Sequence, residues 1–306
     1  MTNLPEISVG EVLSHRIADC VQDLTRQDTA LYALSVGFAR DPLNDIERRF
    51  VDPAVPMRVS PSQALILGYP GFWLGEGPKR IDPTRIIHAA QTITLTRPLM
   101  DEGRITGRTR ITGLYRRSEE IESGLALTSV RELLDEEGRQ FATIEQTHFL
   151  LGNSCPEAPL LSRRPRNSTP ERIARYVVDF QTRPDQALLY RLNGDLNPLH
   201  SDPTLAVRAG FDKPILHGMC TFAIAVRALL EAVLNYDVTA VREISLRFRS
   251  PVYPGETLRT EIRDDLSFGV RALVRDVLVA DNGQLVRATA AVRSELNHKE
   301  IQWKLV

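Results

Sequence analysis

The strongest pattern in the chain is a run that is apolar on nearly every face. Gly218–Leu234, GMCTFAIAVRALLEAVL, carries charge only at Arg227 and Glu231, four residues apart. A helix this apolar must be buried all round, with its two charges paired along one face. Beyond it the pattern shortens to that of strands, which predicts Glu243–Ser250, Thr257–Asp264, Val270–Ala280 and Leu285–Ser294. Asp281-Asn282-Gly283 predicts a hairpin turn between the last two, and Pro251 and Pro254-Gly255 punctuate the first pair. One long buried helix followed by antiparallel strands is an α+β arrangement.

The pattern occurs twice. Arg26-x-Asp28-x-Ala30-Leu31-Tyr32-x-Leu34-x-x-Gly37 answers Arg183-x-Asp185-x-Ala187-Leu188-Leu189-Tyr190-x-Leu192-x-Gly194. Ile93–Leu99 answers Ile244–Val252, and Leu134–Gln140 answers Val279–Leu285. The three matches keep their order, and their offset drifts as loop lengths would make it drift. Between the halves, Leu151–Pro170 is rich in Pro, Ser, Asn and Arg and reads as a linker. The expected division is an N-terminal half over 1–150, a linker over 151–170 and a C-terminal half over 171–306.

Composition narrows the class. The 306 residues are 42% hydrophobic and 25% charged, with a formal net charge of −1, which fits a globular chain with no call for a nucleic-acid partner. Arg116-Arg117 and Arg163-Arg164 read as solvated faces that could also attract phosphates. Three widely spaced cysteines, Cys20, Cys155 and Cys220, argue for a reducing compartment. No signal peptide, membrane span or C-terminal Ser-Lys-Leu is visible, so a cytoplasmic location is expected. No CxxC or His-rich spacing suggests zinc.

The chemistry concentrates in Tyr190–Cys220, YRLNGDLNPLHSDPTLAVRAGFDKPILHGMC. Asp195 precedes His200 by five residues, with Asn197 and Pro198 between them. His217-Gly218 then opens the apolar run. A carboxylate and an imidazole on one turn can move protons on and off water. A backbone amide at a helix start can hold a developing negative oxygen. Gly-Asp-x-Asn-Pro is also ordinary turn composition, but the whole block is more specific. Tyr190-x-Leu192-x-Gly194-Asp195-x-Asn197-Pro198-Leu199-His200 closely resembles the hydratase 2 motif of the MaoC-like dehydratases. Ala209–Phe222 looks like the segment that follows it in (R)-specific 2-enoyl-CoA hydratases, including the hydratase part of peroxisomal multifunctional enzymes.

The resemblance is sharp over residues 183–260 and weak in the first half. It implies a double hotdog, two tandem antiparallel sheets each wrapped around a helix. It further implies reversible syn hydration of a trans-2-enoyl-CoA to a (3R)-3-hydroxyacyl-CoA. Asp195 and His200 would activate the water, the Gly218 N–H would stabilise the thioester enolate, and Asn197 would orient water or substrate. His217 is read as a capping or packing residue, and Tyr190 as packing because Tyr32 answers it. Neither cofactor nor metal is expected, the partner is the acyl-CoA substrate, and a homodimer is admitted. The first half lacks the dyad: Asp41 and Asn44 read as loop residues. Gly68–Gly77, GYPGFWLGEG, is a candidate acyl-lining loop. Rival readings are a dehydratase for an acyl-carrier-protein or short dicarboxylyl-CoA thioester, a hotdog thioesterase, and a non-catalytic acyl-CoA binder.

Overall fold

The computed structural model describes residues 4–76, 81–120, 123–162 and 173–288. Among these residues ten strands form one antiparallel sheet. In the first half they are β1 Cys20–Leu24, β2 Ile86–Leu95, β3 Gly103–Arg116, β4 Leu125–Leu134 and β5 Gln140–Leu150. In the second half they are β6 Tyr176–Gln181, β7 Val241–Phe248, β8 Thr257–Ile262, β9 Ser267–Ala272 and β10 Val277–Arg287. Their spatial order is β1-β3-β4-β5-β2-β7-β10-β9-β8-β6. Each half therefore has the same internal order, and the halves meet edge to edge at β2 and β7. At that seam Ile93 stands directly opposite Ile244, so the residues matched in the sequence repeat become partners across the junction. Tyr32 and Tyr190 also meet, edge to face, with ring centroids 6.2 Å apart.

The apolar run becomes the helix Gly218–Ala232. Eleven of its fifteen residues are buried, which only a sheet curling around it can provide. In the first half the corresponding part of the core holds a 3₁₀ turn, Pro61–Leu65, packed against the helix. Buried Arg131 on β4 donates to the carbonyls of Ala64 at 3.3 Å and Leu65 at 2.5 Å, meeting the acceptors that a helical turn leaves open. Ala64, Leu65, Ile93, Phe222, Leu229 and Ile244 belong to one hydrophobic cluster, so the two halves share a core.

Arg227 does pair with Glu231, at 3.3 Å. Its closer partner comes from the other half: Glu47 Oε1 at 2.6 Å. Glu47 is 1% exposed and also accepts from Tyr236 Oη at 2.9 Å and from the Ala39 N–H at 2.8 Å. The buried carboxylate is thus fully hydrogen-bonded, the condition under which such a pair survives in a core.

Three local expectations are corrected. Asp281-Asn282-Gly283 is no hairpin turn; it lies inside β10, where the register shifts between Asp281 and Gln284. Asn282 takes a left-handed φ of 49°, so the turn-forming residues make a bulge instead. Arg249 Nε donates to Asp281 Oδ1 at 2.8 Å and holds it there. The reversal falls at Leu273–Asp276 and divides the single strand expected over Val270–Ala280. Asp276 supplies the left-handed residue there, with φ 50°. The third repeat match fails for the same reason, because Asp135–Gly138 is a true turn between β4 and β5. The stretch read as linker packs back in its described part: Cys155 and Ala158 are buried, and the Arg116 N–H donates to Pro159 O at 2.8 Å. Residues 163–170, with Arg163-Arg164, the strand expectation beyond 288 and Gly77 of the candidate loop lie outside the described residues.

Candidate active site

The turn before the dyad is shaped by Gly194, whose φ of 104° is open to glycine and strained for other residues. It releases the chain from the 3₁₀ turn Arg191–Asn193 into Asp195. Two side chains then fold the backbone in series. Asp195 Oδ1 accepts the Asn197 N–H at 3.3 Å, and Asn197 Oδ1 accepts the Leu199 N–H at 3.1 Å. Both are Asx-type turns. Pro198 occupies the first position of the 3₁₀ turn Pro198–His200, where its missing N–H costs nothing. Asn197 therefore builds the turn that sets Asp195 against His200, and it also lines the cavity.

His200 is held by its far nitrogen. Nδ1 lies 2.8 Å from the Ile215 carbonyl, an acceptor only, so Nδ1 carries the proton and Nε2 keeps its lone pair. His217 stacks on this ring with centroids 3.7 Å apart, and its Nε2–H donates to the Asp195 backbone carbonyl at 3.2 Å. His217 thus packs the dyad from behind and makes no side-chain cap to the helix it precedes.

Burial sets the protonation. It pushes the Asp195 carboxyl up, against the pull of His200 and the Asn197 N–H. It draws His200 down, against Asp195 and its bond to Ile215. Both directions favour a neutral pair, a carboxylic acid beside a free imidazole base. His217 is drawn well below the ordinary range by burial and by His200.

Gly218 is the first residue of the buried helix. A Cβ at Gly218 would meet the Phe248 ring at 3.4 Å, an ordinary contact, so tight packing does not demand glycine there. Asp195, Asn197, His200 and Gly218 all line one cavity of about 230 Å³. The first half closes it with Tyr69, Phe72, Trp73 and Leu74 from the candidate acyl-lining loop. Asp41 and Asn44 stay outside: Asp41 accepts the Leu43 N–H, and Asn44 caps Asp45–Val51. Cys220 is fully buried in the helix.

Asp195, His200 and His217 place potential ligand atoms within 4.8 Å of one another. The donor geometry is poor for a metal. Imidazole binds an ion in its ring plane at about 2.0–2.1 Å, and two rings stacked 3.7 Å apart at 28° do not share such a point.

Besides Thr221, Arg249 and Ser250, sequence reasoning missed a group of polar residues on the cavity wall: His88, Gln146 and His148. They sit on β2 and β5 of the half that lacks the dyad, and only strand register brings them to the site.

Residues 156–271 match the MaoC like domain. Enoyl-CoA hydratase 2, peroxisomal, of Arabidopsis thaliana is 32% identical over 283 residues, 85% of this chain and 88% of that protein. 3-Hydroxyacyl-thioester dehydratase Y of Mycobacterium tuberculosis is 34% identical over 239 residues, 78% of this chain and 81% of its own. The crystal structure of a MaoC-like dehydratase from Phytophthora capsici superposes with TM-score 0.79 at 26% identity, covering 92% of this chain and 98% of that one. Strand order, a buried helix under a curled sheet and these matches together give a double hotdog, and the chain belongs to the MaoC-like family of hydratases and dehydratases.

Proposed function

We propose that this protein adds water reversibly to a trans-2-enoyl-CoA. The observation that carries the reading is the meeting, in one cavity, of His200 with Nε2 left free, Asp195, and the uncapped helix start at Gly218. In the hydration direction His200 Nε2 takes a proton from water as its oxygen bonds to C3. The π pair moves toward the thioester, and C2 takes a proton from the Asp195 carboxyl. The imidazolium then returns its proton to the Asp195 carboxylate, which restores the neutral pair. Negative charge gathering on the thioester oxygen is met by the Gly218 N–H, a donor of a kind worth ~3 kcal/mol in the transition state. Acid and base on one side of the double bond support syn addition, and the resemblance of Ala209–Phe222 to (R)-specific hydratases supports a (3R) product.

The names of the Arabidopsis and Mycobacterium relatives, a hydratase and a dehydratase, are the two directions of this reaction. The chemistry needs neither metal nor cofactor. Among the described residues no helix is long and apolar enough to cross a membrane. Three free cysteines fit the cytoplasm expected from the sequence and, equally, the peroxisome of the Arabidopsis relative's name. Mixing with crotonyl-CoA tests the activity. Loss of enoyl-thioester absorbance without free thiol is the expected result; free thiol would make the protein a hydrolase, and neither change would make it a binder.

A further inference from the structure

The cavity has a second polar patch, contributed by the half without the dyad. His88 on β2 stands opposite His148 on β5, with ring centroids 4.8 Å apart and planes at 23°. Both line the cavity, as does Gln146, two residues before His148 on the same face of its strand. An extra residue on β2 shifts the register between His88 and Ala90. Bulges of this kind re-aim side chains beside functional sites. His88 thereby reaches the cavity wall, while Gln91 stays in the core and accepts from Gln146 Nε2 at 3.1 Å.

Each imidazole carries a buried nitrogen with no partner in the protein: Nε2 of His88 and Nδ1 of His148. Buried polar groups are as a rule hydrogen-bonded, so each of these rings has unmet hydrogen-bonding capacity. Burial keeps both rings neutral, His88 pulled down to about 4 and His148 well below its ordinary value. The patch is also placed along the chain of a bound thioester. The His88 ring lies 4.9 Å from the Phe248 ring, and Phe248 faces Gly218. Phe248 thus lies between Gly218 and the His88 ring on the cavity wall. Arg249, a cation on the cavity wall, is engaged by Asp281 at 2.8 Å.

We infer that the cavity selects a 2-enoyl thioester whose acyl chain bears a neutral hydrogen-bonding oxygen, a hydroxyl or a ketone, at the carbons that reach His88 and His148. This rests on the hydratase reading above. A neutral imidazole has one donor and one acceptor, which a hydroxyl matches in both directions. A plain methylene chain leaves the patch unsatisfied, and sites built to hydrogen-bond a substrate group reject the analogue lacking it strongly. A carboxylate calls for a cation, which two rings held neutral and an engaged Arg249 do not offer.

The test is a set of ten-carbon trans-2-enoyl-CoAs, unsubstituted or bearing one hydroxyl, ketone or terminal carboxylate, the hydroxyl and ketone moved outward carbon by carbon. At one position kcat/KM should exceed that of the plain chain by about tenfold or more. In His88→Phe or His148→Phe, whichever melts as wild type, the ratio should fall below about twofold. Preference for the plain chain at every position, preference for the carboxylate, or a ratio unchanged in the variant overturns the inference; should both variants misfold, the wild-type ratio decides. Calorimetric binding of decanoyl-CoA against its hydroxylated counterparts needs no turnover. Failure of hydration therefore leaves the selectivity measurable, and equal affinities there reject it.

Discussion

At the scale of single residues, the site depends on which atom of each group is tied up. His200 gives Nδ1–H to Ile215, so on the proposed mechanism its loss removes the base and not the turn. Asp195→Asn and His200→Ala should each lower kcat by 10²–10⁴-fold, the usual weight of a general acid or base, with unchanged circular dichroism; a variant keeping more than about a tenth of kcat contradicts the role. Gly218 permits a sharper test. It is the first residue of its helix, and His217 before it has φ −57° and ψ 135°, the extended conformation that proline requires of its predecessor. Proline is well tolerated at this helix position. Gly218→Pro should therefore keep the fold, remove the N–H and cost about 10²–10³-fold in kcat. Full activity in a folded G218P would move the enolate site elsewhere. Because burial holds His200 below its ordinary 6.5, the imidazole stays neutral as pH falls through that value. The acid limb of kcat/KM should have its midpoint below 6.5, and a midpoint above it would mean a base that Asp195 holds protonated.

Among elements, the helix Gly218–Ala232 and the first half are joined by charge as well as by apolar packing. Glu47→Ala leaves Arg227, 13% exposed at its side chain, with only its longer bridge to Glu231, and leaves Tyr236 Oη and the Ala39 N–H without their acceptor. Removing one member of such a buried pair costs about 3–5 kcal/mol. Chemical denaturation should show that loss, whereas a change under about 1 kcal/mol would mean the pair is dispensable. The i,i+4 spacing of Arg227 and Glu231 was readable in the sequence, but the dominant partner was not, since Glu47 lies 180 residues away. The same distinction explains Asp281-Asn282-Gly283. Local composition identifies residues that accept a left-handed φ; whether that φ closes a hairpin or makes a bulge depends on the paired strands, here β7 and β9.

For the whole molecule, pH reaches stability through histidines that are buried or half-buried. His88, His148, His200 and His217 are all drawn below 6.5 by burial. Such a group contributes stability that is complete above its unfolded value and is lost as pH falls toward its folded one. Asp195, raised by burial, has the opposite sign and offsets part of this at lower pH. Tm should therefore begin to fall as pH drops below 6.5 and keep falling toward about 4, the value to which His88 is pulled. Asp135, Asp179 and Glu256, all lowered, lose stability only below the ordinary carboxylate range, so the onset separates the two causes. A flat Tm between pH 7 and pH 5 would show that the histidines are not the acid-sensitive groups.

The sequence by itself determined what is local. Tyr190–Cys220 holds the dyad, its turn and the helix start within about thirty residues, so composition and spacing specify them without reference to the rest of the chain. The apolar run had to be buried, and the doubled pattern had to give two similar halves, because hydrophobic periodicity acts through each element's own faces. Tertiary structure decided what depends on register and on edges. It made Ile93 meet Ile244 at the seam, turned the expected linker back onto the first half, and put His88, Gln146 and His148 on the wall of the same cavity as Asp195 and His200. A strand's side chains alternate between faces, so a slip of one residue would send each of these histidines to the opposite side of the sheet. Their place in the cavity is fixed by pairing between residues sixty apart in the chain, and no local pattern carries that information.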